Sequence, residues 1–163
     1  MTPQTDPTQL MAVALGRIPS GLFILTARHG ERETGMLASW VQQCSFDPPQ
    51  VSVAVRGDRD LLAWLTPGAA FTLNQVGEGQ NSLLGHFGKG FALDQPAFTG
   101  LNVDRHAGEG PILLDASGHL LCRVAGRFAA GDHEIVVGTV AGGKPNQADG
   151  KPWVHVRKNG LRY

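Results

Sequence analysis

The sequence predicts a mainly β protein, an antiparallel β-barrel with a few short helices, in one domain spanning residues 1–163. Three observations predict it. Short runs alternate apolar with polar residues. The chain's 22 glycines and 10 prolines punctuate those runs. No regular βαβ rhythm separates them with helices, which argues against a doubly wound sheet. A length of 163 residues suits one domain with a sizeable core.

Residues 1–15 read as an N-terminal helix or arm. Asp6-Pro7 is a good cap and first-turn pair, and Leu10, Val13 and Ala14 follow at helical spacing. Residues 22–27 are apolar on both faces, as in a buried strand. Val51, Val53 and Val55 alternate with Ser52, Ala54 and Arg56. Leu120, Cys122 and Val124 form one face, which Phe128 is expected to continue. Ile135, Val136, Val137 and Val140 make a further strand. Turn signals fall at His29-Gly30, Asp47-Pro48-Pro49, Ser117-Gly118 and Gly131-Asp132. Asp58 is a candidate cap for a helix carrying Leu61, Leu62 and Leu65. Asn81 or Ser82 is a candidate start for a helix carrying Leu83, Leu84 and Phe87. Residues 88–111 read as a long surface excursion, a kind of segment that is often functional.

Composition excludes several function classes. Lys plus Arg is 14 and Asp plus Glu is 14, giving zero formal net charge. Nucleic acid is therefore not the expected partner, because phosphate-backbone binding needs a basic excess. The absence of net repulsion is compatible with self-association. Residues 10–15 are too short to span a bilayer and lack a charged leader or cleavage pattern, so a cytoplasmic protein without membrane contact is expected. Cys44 and Cys122 lack CxxC spacing and read as two free thiols in strands. Gly77-Glu78-Gly79 lacks the third glycine of a dinucleotide fingerprint, and Gly88-Lys89 runs into Gly90 rather than Ser or Thr. The six histidines are scattered without metal-ligand spacing, and Ser39 lies in no nucleophile elbow.

Four segments carry a positive signal. The run 35–55 contains Gly35, Met36, Leu37, Ala38-Ser39-Trp40, Cys44-Ser45 and Asp47-Pro48-Pro49. The second is Phe71-Thr72-Leu73-Asn74, and the third is Gly131-Asp132-His133 before the strand with Gly138. The last is Arg157-Lys158-Asn159-Gly160 with Tyr163 at the end. In this order and spacing they resemble the flavin reductase-like FMN-binding split-barrel family, from about Gly16 to the C-terminus. Within it the chain looks most like the flavin reductase-type domain at the C-terminus of some cyanobacterial flavodiiron proteins, here standing alone.

The resemblance implies a split β-barrel, bound FMN with FAD as the alternative, NADH or NADPH as co-substrate, and a homodimer with flavin near the interface. It implies flavin contacts from Met36, Leu37, Ala38, Ser39, Trp40, Cys44, Ser45 and Asn74, and a His133 close to flavin and nicotinamide. Relatives often carry Thr or Ser where Leu37 stands, so one polar contact is lost or passes to a backbone amide.

Physical chemistry supports these positions in part. Small residues at Gly35, Ala38 and Ser39 let backbone amides approach a ligand. Ser39 and Ser45 can hydrogen-bond to ribityl or phosphate oxygens, or simply alternate outward on a strand. Arg56 and Arg59 match a phosphate bidentately, or are solvated. Trp40 walls the ring or packs in the barrel. Asn74 contacts flavin or satisfies a turn, and His133 reaches the barrel mouth or only bonds Asp132. Arg157 and Lys158 meet a phosphate or the partner chain, or form a solvated tail. The expected activity is NAD(P)H-dependent flavin reduction. The alternatives are an FMN electron carrier serving a redox partner protein, with residues 88–111 covering the ring, and a split barrel for another ligand such as haem.

Overall fold

The structure, a computed structural model, describes residues 6–106 and 109–162. The chain runs α1 (Pro7–Gly16), β1 (Ser20–Gly21), β2 (Phe23–His29), β3 (Arg32–Ala38), β4 (Val41–Phe46) and β5 (Pro49–Arg56). A 3₁₀ turn (Asp60–Ala63), β6 (Ala70–Gln75) and α2 (Asn81–Phe87) follow. The remaining strands are β7 (Val103–Asp104), β8 (Ile112–Leu113), β9 (Gly118–Ala130), β10 (His133–Pro145) and β11 (Val154–His155). No helix among the described residues is long and apolar enough to cross a membrane. Tyr163, which ends the last of the four signal-bearing segments, lies outside the described residues.

Seven strands form one antiparallel sheet in the order β3-β2-β6-β9-β10-β5-β4. Its two edge strands, β3 and β4, are consecutive in sequence, joined only by Ser39 and Trp40. Three Cα steps span at most about 11 Å, so the two edges must curl toward each other. The Ala54 N–H on β5 donates to the Trp40 carbonyl at 3.0 Å and ties the crossing down. The result is the expected split barrel: a curled sheet whose ladder does not run between β3 and β4.

The tight hairpins explain where the strands turn. His29 pairs with Arg32, and His133 with Ala130, so two residues make each turn. The first turn residue is Gly30 (φ 60°) in one and Gly131 (φ 62°) in the other, and among the described residues no non-glycine has positive φ. Glycine at the first position is the demand of a II′-type turn, whose twist matches the flanking strands.

Leu25 and Ala27 of β2, Phe71 and Leu73 of β6, and Val51, Val53 and Val55 of β5 share one core with Cys122, Val124 and Val136. A second core lies on the other side of β2, where Ile24 meets Leu83 and Phe87 of α2, then Ala97, Phe98, Leu113 and Ala116. Strand β2 is apolar on both faces because both are covered. Burial in the first core pushes the Cys122 thiol up to about 12, whereas Cys44 is exposed; both are free thiols.

Three local expectations are corrected. Helix α1 buries Ala12 and Gly16 rather than Leu10, Val13 and Ala14. It packs through small residues on the C-terminal segment, where Arg157 N–H donates to Gly16 O and Gly160 N–H to Ala12 O. Asp58 caps no helix; its carboxylate pairs with Arg56, although Leu61, Leu62 and Leu65 are buried as expected. Phe128 leaves the inner face. A register shift near Ala125 reverses the alternation, since a one-residue slip flips every later side chain. Arg127 then donates to the carbonyls of Leu62 and Leu65, and Phe128 is exposed.

Asn74 holds the two layers together. Its Nδ2 donates to Ile24 O and Thr26 Oγ1 at 3.2 Å, and its Oδ1 accepts from Leu113 N–H at 2.8 Å. Thr26 Oγ1 donates to Pro111 O and Thr72 Oγ1 to Gly110 O. Asn74→Ala strands these buried groups, so urea unfolding is expected to show a loss of about 2–3 kcal/mol.

Candidate functional site

The crossing that closes the barrel also builds a cleft. The end of β3 and the crossing supply Met36, Leu37, Ala38 and Ser39. Strand β5 and the following loop supply Ala54, Arg56 and Arg59, the end of α2 supplies Phe87 and Gly88, and the start of β10 supplies His133. The cleft holds about 390 Å³, within the range of small-molecule sites.

Each side chain has an identifiable support. Ala38 and Ser39 are buried, so only small groups crowd the floor. Arg56 pairs across the β5–β10 ladder with His133, and its guanidinium bonds Asp58. That hydrogen bond holds the Asp58 carboxyl below the usual range. Arg59 has no ion-pair partner among the described residues, and Gly90 lies close beside its Nη1. His133 Nδ1 lies 2.7 Å from Asp132 Oδ1. The His133 ring packs on Trp40 with centroids 4.7 Å apart and planes tilted by 37°. Trp40 in turn carries the Arg157 guanidinium 5.0 Å from its ring centroid.

A second, wider groove of about 790 Å³ adjoins this wall and shares Ser39 and Ala54 with the cleft. Trp40, Val41, Ile135 and Arg157 line it, with Leu15, Ile18 and Val154 from the terminal segments. An aromatic wall therefore stands beside a cationic cleft on one side and an apolar groove on the other. Such a pair of spaces can hold an anionic, flat molecule and a second ligand next to it.

Seven of the residues predicted from sequence line the cleft: Met36, Leu37, Ala38, Ser39, Arg56, Arg59 and His133. Trp40 stands against His133. The other four lie elsewhere. Asn74, expected near the ligand, is 0% exposed and serves the fold, because its side of β6 is covered by residues 110–113. Cys44 falls at the register shift between Gln43 and Ser45 on an edge strand leading away from the crossing. Ser45 pairs with Gln50 further along the same strand, and Lys158 is exposed. Gly35 is small for another reason than ligand approach: a Cβ there meets Phe87 at 2.9 Å. Sequence reasoning missed Ala54, Phe87 and Gly88. Ala54 was visible as the small residue among the alternating valines, but nothing local marks the end of α2 as a cleft wall.

Comparison with known proteins follows the same lines. Residues 15–160 match the family model described as flavin reductase like domain. The chain is 42% identical over 151 residues to diflavin flavoprotein A 1 of Synechocystis sp., covering 92% of this chain and 26% of that protein. It thus spans about a quarter of the length of the curated relatives it matches. Among solved structures, NADH:FAD oxidoreductase SgcE6 of Streptomyces globisporus superposes with a TM-score of 0.81 at 23% identity, covering 96% of this chain and 92% of that one. The styrene monooxygenase flavin reductase of Pseudomonas putida S12 gives 0.75 at 26% identity, covering 88% and 90%. With its fold and nearly its whole length accounted for, the chain belongs to the flavin reductase like domain family.

Proposed function

We propose that the chain binds FMN in the 390 Å³ cleft and that NADH or NADPH reduces it there. One juxtaposition carries this reading: Arg59, without an ion-pair partner among the described residues, opens on the same cleft as the His133 ring and its Trp40 stack. The residues fit the group. Arg59 suits a phosphate, and Arg56 joins it if the phosphate displaces the exposed Asp58 carboxylate. Ser39 brings a hydroxyl to the ribityl chain, and Ala38 and Ala54 leave room for a flat ring.

When bound, the flavin supplies the two-electron chemistry by accepting hydride from a reduced nicotinamide. The protein's part is to orient and to exclude water. Trp40 and His133 form an aromatic wall at the junction of cleft and groove. Arg157 keeps a positive charge beside the groove, where a dinucleotide has space. FAD remains the alternative flavin, since its additional bulk has the same groove available.

The carrier reading, in which residues 88–111 exclude a nicotinamide, has weaker support. Phe87, Ala97 and Phe98 hold the excursion in the second core, and Gly88 is its only cleft-lining residue among those described. We also propose a homodimer through the layer formed by α1 and the C-terminal segment. Leu10, Met11, Ile18, Val154 and Val156 stand 50–65% exposed there, beside the apolar groove.

Anaerobic mixing of the FMN-loaded protein with NADH, then NADPH, is expected to bleach the flavin absorbance with at least one. Bleaching by dithionite alone makes the protein a carrier instead. Arg59→Ala is expected to weaken FMN binding about 10- to 100-fold, from the loss of a charge-assisted contact, with riboflavin affinity unchanged. An equal loss for both ligands contradicts the phosphate assignment. Ile18→Asp is expected to convert the dimer to a monomer in light-scattering chromatography.

A further inference from the structure

We propose that Asp132 is a positioning residue that keeps the His133 proton on Nδ1 and presents Nε2 to the cleft. The argument begins at the turn. Gly131 and Asp132 are the only residues between paired Ala130 and His133, and Gly131 supplies the positive φ. The Asp132 carbonyl accepts from Gly57 N–H at 2.9 Å, which docks the turn on the end of β5. The backbone at Asp132 is thereby anchored, while its side chain is 86% exposed.

Its Oδ1 meets His133 Nδ1 at 2.7 Å. That bond is the first cause holding the Asp132 carboxyl below its usual range. An ionised carboxylate only accepts hydrogen bonds, so Nδ1 must be the donor. In the neutral ring the proton then sits on Nδ1, and Nε2 is an acceptor. Nε2 makes no hydrogen bond among the described residues, while the side chain is only 10% exposed and lines the cleft. Stacking on Trp40 holds the ring plane. Other charges gather round the pair: Arg56, Asp58 and Arg59 from β5 and its loop, and Arg157 beyond Trp40. Among the described residues Asp132 is the group hydrogen-bonded to the imidazole, so the tautomer is assigned to it.

The ring state is a property of the free protein; its effect on turnover rests on the flavin reading above. Side-chain nitrogen NMR of the flavin-free protein, at a pH where His133 is neutral, reads the tautomer directly. Wild type is expected to show a protonated Nδ1 and a bare Nε2. D132N, whose amide both donates and accepts, is expected to show both tautomers. A wild-type proton on Nε2, or identical spectra, overturns the proposal. In the flavin-loaded protein, D132N is expected to lower kcat about tenfold, the worth of one hydrogen bond, with KM and flavin affinity unchanged and partial rescue by D132E. An unchanged kcat overturns the role in turnover. If no flavin binds to wild type, the function falls, yet the NMR result still decides the assignment of Asp132.

Discussion

The hydrogen bond from Ala54 N–H to the Trp40 carbonyl marks the constraint on which the structure depends. Two residues must carry the chain from one edge of a seven-stranded sheet to the other. Because that link is so short, the sheet has to curl, and the strand ends on either side of it are brought together. Most of the cleft lining arrives by this route, from the end of β3, from β5 and the loop after it, and from the start of β10; the end of α2 adds Phe87 and Gly88. The same curl sets Trp40 between His133 and Arg157.

A second constraint comes from covering both faces of β2 and β6. On one face Leu25, Phe71 and Leu73 fill the barrel; on the other, Thr26, Thr72 and Asn74 bind the carbonyls and amides of residues 110–113. Burying three polar side chains is tolerable because each has partners there. This layer fastens the excursion after α2 to the outer face of β2 and β6, where Ala97 and Phe98 join the second core.

Much of this was legible in the chain. Valines at 51, 53 and 55 announced a strand with one buried face, and Gly30 and Gly131 announced the two tight turns. The cleft was legible as far as local sequence carries it: residues 36–39, the two arginines after β5, and the histidine after a glycine turn. Asn74 lies buried outside the cleft, and a buried asparagine and a ligand-binding one look alike until the segment covering it is known. Cys44 and Ser45 do not line the cleft, because adjacency to Ser39 in sequence does not survive an edge strand that runs away from the crossing. Phe128 was misjudged because a bulge that reverses alternation leaves no sign in apolar periodicity.

By itself, the sequence determined the strand periodicity, the turns that glycine alone permits, the balance of charge and the residue types available to hold a phosphate and a flat ring. These are local properties, set by side-chain chemistry and backbone sterics. Only the tertiary structure decided which of those residues share a cleft, that His133 stands between an aspartate and a tryptophan, and that Asn74 belongs to the core. Those outcomes depend on which distant segments meet, and pairing across a curled sheet joins residues far apart in the chain. The split barrel was therefore present in the pattern, and its site became visible only where the two edges of the sheet converge.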